Sequence, residues 1–267
     1  MIRKKIVVFQ GGLGNQLFQY AFLSKMRDLG YKPFYLNHAS DSHNGFEIQK
    51  YFVTNMKECH PIFYSIFRYM EKLYRHGAHF VFSTEKYFSV RKIFQCGYWQ
   101  DLRFLPNGEI IKFKKLSLDE NNKRMIDIMN SSNSIAIHVR RGDYLLPPHN
   151  KVFAGICTKE YYQKAINIMK QKLDNPKFFF FSNDMEWVKA NIQLEDVDSY
   201  YIDWNIGDKS VFDMYLMSQC KGNILANSTF SFWGARLGKN NIVIYPKKWF
   251  NTMEPPNIFP SNWIGIS

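Results

Sequence analysis

The chain has 267 residues, 46% of them hydrophobic and 17% aromatic, which is enough apolar surface for a core and excludes whole-chain disorder. Its net charge of +12 fits an anionic partner, whether nucleic acid, lipid headgroup or phosphorylated substrate, and also fits a solvated lysine surface. Four cysteines lie far apart without a C-x-x-C pair, which excludes a zinc ribbon or a small disulfide scaffold and leaves free thiols as the simple reading.

The opening Ile6-Val7-Val8-Phe9 is an apolar, β-branched run that predicts a buried strand. It is too short for a signal-peptide core or a membrane span, and the chain reads as cytoplasmic. Gly11-Gly12-Leu13-Gly14 turns the chain, and Asn15 is placed to cap a helix carrying Phe18, Ala21, Phe22, Met26 and Leu29 at helical spacing. Gly30 ends that helix, and 32–36 returns as a strand, so the chain opens with a βαβ unit. The glycine loop lets backbone approach a ligand, with Gly12, Gly14, Asn15 and Gln16 as its candidate residues. It is not a dinucleotide fingerprint, because Leu17 stands where a third glycine belongs and the second strand ends at Asn37 rather than at an acid.

The segment 62–74 mixes Phe, Tyr, Met and Leu with Arg and Lys and predicts a helix. Such a helix packs on a core through its aromatics, or lies on an anionic membrane surface; peripheral contact with the inner face of the cell membrane is therefore an expectation beside ordinary packing. Polar residues over 119–133 suggest a domain boundary, giving domains 1–132 and 133–267.

Beyond it, strands are predicted at 134–139, 177–181, 200–203, 223–226 and 241–245. Helices fall near 158–173, 184–192, 209–220 and 229–237. This alternation implies a parallel sheet with helices on both faces, and ligands in such sheets sit beyond the strands' carboxyl ends. Two motifs fall there.

His138-Val139-Arg140-Arg141-Gly142-Asp143-Tyr144 places two guanidiniums where a strand ends. Arginine's planar fork of donors suits a diphosphate, and a fixed cation stabilises charge on a departing one. Neighbouring strand residues point to opposite faces, so one arginine can meet phosphate while the other pairs internally, with Asp143 as the partner to hand. An Arg–Asp pair that merely pins a turn accounts for the spacing equally well. Asn227-Ser228-Thr229-Phe230-Ser231 opens a helix, either as a cap or as an anion site built on free backbone amides. Asp213 lies on the preceding helix; a carboxylate can accept the paired N–H donors of guanine, or simply face solvent. Asp196-Val197-Asp198 reads as a surface loop rather than a metal-binding triplet, and no metal is expected.

Together Gly11–Tyr20, Gly97-Tyr98-Trp99-Gln100, His138–Tyr144, Phe181-Ser182-Asn183-Asp184 and Asn227–Gly234 resemble, in that order, the bacterial α-1,2-fucosyltransferases of glycosyltransferase family 11. The resemblance implies a GT-B fold, with two Rossmann-like domains facing across a cleft, the amino-terminal one on the acceptor side and the carboxyl-terminal one binding GDP-fucose. It implies inverting transfer of L-fucose to the 2-hydroxyl of a galactose in a cell-surface glycan, as in O-antigen or polysaccharide biosynthesis, without a metal or cofactor. It also implies that Arg140 contacts the diphosphate, that His138 and Asp213 lie near the guanosine, that Asn227, Ser228, Thr229 and Ser231 form the donor-side turn, and that Gly12, Gly14 and Asn15 face the cleft.

Wider relatives carry a glutamate beyond the Arg-Arg-x-Asp segment. Here Leu145-Leu146-Pro147-Pro148-His149 offers no carboxylate, so Asp143 and His149 are the candidate bases. Tyr98 and Trp99 divide between stacking on an acceptor sugar and the core. Rival readings are a fucosyltransferase of another linkage, 1,6 or O-linked, and a basic nucleic-acid-binding protein; the second leaves unexplained why three motifs sit at strand ends, and nucleic acid is not an expected partner.

Overall fold

The structure is a computed structural model that describes residues 3–39, 44–106, 108, 111–194, 197–238 and 242–267. The chain divides into two compact units, Met1–Lys114 and Lys115–Ser267. The division falls ahead of the boundary read after residue 132, because 119–133 is not a linker. Asp119 accepts a hydrogen bond from the Asn122 amide and caps a helix, Glu120–Asn130, that buries Asn122, Met125 and Met129 in the second unit.

The first unit contains β1 (Lys4–Phe9), α1 (Leu13–Asp28), β2 (Lys32–Asn37), α2 (Ile48–Tyr51), β3 (Phe52–Val53), α3 (Ile62–Arg75), β4 (Phe94–Cys96) and β5 (Lys112–Phe113). Its sheet is parallel in the order β2-β1-β4, and β3 pairs with β5 antiparallel. β1 is central and buried on both faces, which is why it reads as a continuous apolar run. Its buried Lys5 donates to the carbonyls of Val90 and Lys92. The βαβ opening is as expected, except that Gly12, not Asn15, is the N-cap of α1. α3 packs Phe63, Phe67, Met70 and Tyr74 on Val8, Leu36, Phe82 and Phe94, the ordinary packing expected of one face of that helix.

The second unit contains α4 (Glu120–Asn130), β6 (Asn133–Val139), α5 (Asn150–Phe153), α6 (Lys159–Lys172), β7 (Pro176–Ser182), α7 (Met185–Asn191), β8 (Ser199–Ile202), α8 (Val211–Gln219), β9 (Gly222–Ile224), α9 (Thr229–Arg236), β10 (Ile242–Pro246) and β11 (Ile264–Ile266). Its six strands form one parallel sheet in the order β11-β10-β9-β6-β7-β8. All five expected strands are present; residue 241, at the start of the last, lies outside the described residues. Phe178, Phe179, Phe180 and Phe181 of β7 are all fully buried, as a strand covered on both faces requires. Ile135, Ile137 and Val139 face a core with Tyr161, Tyr162 and Ile166 of α6 and Val188 of α7. Alternate residues Ser134, Ala136 and His138 face the other way.

The strand order reverses at β6. From it the chain steps outward through β7 and β8, then crosses back to β9 on β6's other side before continuing to β10 and β11. The carboxyl ends of β6 and β9 therefore flank a topological switch point, where open parallel sheets leave a crevice for ligands.

Candidate active site

Arg140 and Arg141 follow the last residue of β6 and take opposite faces, as the strand period dictates. Arg141 turns toward α7. Its Nε lies 2.9 Å from Asp184 Oδ2, its guanidinium stacks 4.1 Å from the Trp187 ring, and its amide donates to Asn183 Oδ1 at 3.0 Å. Asp184 also caps α7 through the Trp187 amide. The internal partner of this arginine is thus Asp184, not the expected Asp143.

Asp143 instead pairs with Arg140, Nη2 to Oδ1 at 2.8 Å. Arg140 remains part-exposed and lies over the Tyr144 ring, 5.4 Å from its centroid. The Tyr144 hydroxyl donates to the Asn227 carbonyl at 3.2 Å, so the arginine motif and the hydroxyl-rich turn are joined across the switch point. Burial pushes the Tyr144 phenol up to about 12, keeping it a neutral donor. Gly142 adopts a φ of +38°, and a Cβ there would come 2.2 Å from Asn183 Nδ2; the turn that aims both arginines requires a glycine.

His138, on the same face as Arg140, is buried with its ring 5.7 Å from that of Phe230. Burial and the Arg140 charge hold its pKa down at about 3, so the imidazole is neutral. Its Nδ1 has no hydrogen-bond partner among the described residues. A buried polar atom left open beside a guanidinium is what a ligand site provides.

The residues of the hydroxyl-rich turn divide by role. Asn227 is engaged internally, its Nδ2 donating to the Phe153 and Trp249 carbonyls and its Oδ1 accepting from Cys157 Sγ. Ser231 donates to the Ala226 and Ser228 carbonyls and is buried. Ser228 caps α9 by accepting from the Phe230 amide at 3.3 Å. Thr229, the first residue of α9, is half-buried. The turn thus fixes a helix amino terminus next to Tyr144, where backbone amides favour an anion.

Asp213 does not face solvent. Its Oδ1 accepts from Asn205 Nδ2 at 2.8 Å, and Asn205 exchanges hydrogen bonds with Asn122 of α4, which also accepts from Trp204 Nε1. Burial drives the carboxyl pKa up to about 8, with the Asn205 bond opposing. Sequence reasoning did not single out Asn122 or Asn205, and it named Asp184 only within the Phe181–Asp184 motif, without a role. Asp184 had a readable signal, since it follows the strand beside β6; the two asparagines had none.

In the first unit, Gln16 is buried rather than presented. Its Nε2 donates to the Gly11 and Gly45 carbonyls, and its Oε1 accepts from the Glu47 and Ile48 amides. Gly14 is buried within the first turn of α1. Gly12 and Asn15 are part-exposed, and Asn15 Oδ1 accepts from Gln100 Nε2 at 3.1 Å. Trp99 is fully buried and stacks on Phe22 at 3.7 Å, whereas Tyr98 is exposed. The structure brings the glycine loop and the Gly97–Gln100 segment together.

His149 is exposed on the loop before α5, its ring 6.2 Å from that of Phe153, which stacks on Tyr144. Asp198 pairs with Lys177 at 2.7 Å on the surface, and Asp196 lies outside the described residues. Among the described residues no three His, Cys, Asp or Glu side chains converge as metal ligands, all four cysteines are free, and no helix is long and apolar enough to cross a membrane.

A family model for glycosyl transferase family 11 matches residues 3–267. The chain belongs to glycosyl transferase family 11. It is 34% identical to an alpha-1,2-colitosyltransferase of Escherichia coli over 96% of both chains. It is 27% identical to galactoside alpha-(1,2)-fucosyltransferase 2 of Rattus norvegicus over 51% of this chain and 40% of that one. The fold is that of a glycosyl transferase family 9 protein from Veillonella parvula, with a TM-score of 0.51, 12% identity and coverage of 100% of this chain and 86% of that one. The family 11 chain is therefore a glycosyltransferase of GT-B type built from two Rossmann-like units, and its arginine motif, hydroxyl turn and Asp213 all lie on the carboxyl edge of the second.

Proposed function

We propose that this family 11 enzyme transfers L-fucose from GDP-β-L-fucose to the 2-hydroxyl of a galactose in a cell-surface glycan or oligosaccharide, inverting the anomeric centre in one displacement. The observation that carries the reading is the position of Arg140, a fixed guanidinium at the switch point, tied through Tyr144 to the turn that opens α9. The diphosphate of the donor lies between that guanidinium and the amides of α9. As the bond from sugar to phosphate breaks, the growing charge meets a cation already in place. Because side chains supply that charge, the reaction needs neither metal nor cofactor.

The guanine edge donates N1–H and N2–H to the Asp213 carboxylate, and His138 Nδ1 takes a further hydrogen bond from the donor. The proton leaving the attacking hydroxyl goes to Asp143 or His149. Of these, Asp143 is supported better: it is part-buried beside Arg140, whereas His149 is exposed. The first unit serves the acceptor, with Asn15 and Tyr98 as its part-exposed and exposed groups. No nucleic acid enters this reading.

Thermal shift against GDP, UDP, ADP and CMP tests the donor assignment, with stabilisation expected from GDP alone. Linkage analysis of the product made from GDP-fucose then separates a 1,2 linkage from 1,6 or O-linked transfer. Similarity to a colitosyltransferase supports a second donor, GDP-colitose, which lacks the 3-hydroxyl of fucose. Comparing kcat/KM for the two donors decides between them.

A further inference from the structure

α3 carries a face that the fold leaves uncovered. Its core-facing row, Phe63, Phe67, Met70 and Tyr74, packs inward. About 100° round the helix runs a second row at the same spacing: Ile62, Ile66, Tyr69 and Leu73. These four are 55%, 40%, 65% and 36% exposed. They form one stripe about 16 Å long. Phe80, just beyond the helix, is 73% exposed with Lys92 Nζ 5.8 Å above its ring.

Charge borders the stripe on its outer side. Arg68 and Lys72, both exposed, share the flank away from the core-facing row. The one acid of the helix, Glu71, is held by Arg75 at 2.8 Å and lies 3.6 Å from His38. The asymmetry extends to the whole unit. Residues 1–114 hold 17 Lys and Arg against 8 Asp and Glu, whereas residues 115–267 hold 18 against 15. The basic excess of the chain thus resides mainly in the unit that does not carry the arginine motif, so a donor diphosphate does not account for it.

We propose that α3 seats the first unit on a bilayer containing anionic lipid, with Ile62, Ile66, Tyr69 and Leu73 at the boundary between headgroups and acyl chains and Arg68 and Lys72 against the phosphates. An exposed apolar row flanked by cations is the pattern of an interfacial helix, and a tyrosine midway along it suits a surface that is apolar below and wet above. A second copy of the chain is the weaker occupant, because it would set one strongly basic unit against another; an anionic bilayer satisfies stripe and charge together.

Flotation with vesicles of phosphatidylcholine, with and without phosphatidylglycerol, tests this. The protein is expected to float with the phosphatidylglycerol vesicles and to be released by high salt. Ile66→Ser/Tyr69→Ser lowers that partition about tenfold at an unchanged unfolding transition, since both side chains are exposed. Arg68→Gln/Lys72→Gln, at two exposed positions outside the apolar stripe, lowers it about tenfold on phosphatidylglycerol vesicles. The proposal is overturned if the parent does not float, if either double variant floats as the parent does, or if light scattering without vesicles shows a dimer that Ile66→Ser/Tyr69→Ser dissociates.

Discussion

The guanidinium of Arg140 lies 5.4 Å over the ring of Tyr144, and the hydroxyl of that ring donates to the carbonyl of Asn227. One tyrosine therefore supports the arginine from below and fastens it to the loop that opens α9. Tyr144→Phe keeps the ring and loses only the hydroxyl bond, so it should cost about 1 kcal/mol of stability and leave kcat within a few-fold of the parent. Tyr144→Ala frees the guanidinium and should lower kcat well beyond that. Steady-state kinetics with chemical denaturation of both variants checks the pair, and equal kcat values would contradict the supporting role.

Gly142 is the hinge of the same turn. An added methyl meets Asn183, whose Oδ1 holds the Arg141 amide, and the backbone there sits at positive φ. Gly142→Ala should cost about 1–3 kcal/mol, and kcat should fall with it because Arg140 is aimed by this turn. Gly155, also at positive φ but with nothing near its Cβ position, is the control; its alanine variant bears the backbone strain without displacing a neighbour.

Asp213 makes both stability and binding depend on pH. A carboxyl whose pKa rises on folding holds more protons in the native state than in the unfolded chain, so stability falls as pH climbs from about 4 to about 8 and is flat above. Asp213→Asn should remove this component, and its melting temperature relative to the parent should grow across that window. Guanine needs the ionised carboxylate, so GDP binding should expel a proton below about pH 8 and tighten as pH rises to that value. Calorimetry in buffers of different ionisation enthalpy counts the proton. A GDP affinity independent of pH in the parent would remove Asp213 from the site.

Much of this was legible in the sequence because parallel sheets write themselves plainly. Runs such as Phe178–Phe181, separated by amphipathic helices, are how strands covered on both faces must read. The opposed fates of Arg140 and Arg141 follow from the two-residue period of β6, although the partner of Arg141 came from the neighbouring strand end, which spacing within the motif could not supply. α4 was hidden because its apolar residues, Met125, Ile126, Ile128 and Met129, are confined to its second half, behind a wholly polar first turn. β11 has three residues, too few to show a pattern. Gln16 was read as a presented group, yet its amide fastens two loops from a buried position. A buried glutamine and a ligand-facing one look alike until their partners are known. For the same reason Asn227 and Ser231 gave no sign that their side chains bond within the protein.

The central claim is that Arg140, and not Arg141, meets the departing diphosphate. Measuring kcat at saturating GDP-fucose for Arg140→Ala and Arg141→Ala, alongside their unfolding transitions, tests it directly. Arg140→Ala should lose about 100- to 1,000-fold in kcat with its fold intact. Arg141→Ala should instead lose about 1 kcal/mol of stability as the pair with Asp184 goes, with kcat within a few-fold of the parent. A folded Arg140→Ala enzyme that turns over at nearly the parent rate would contradict the account.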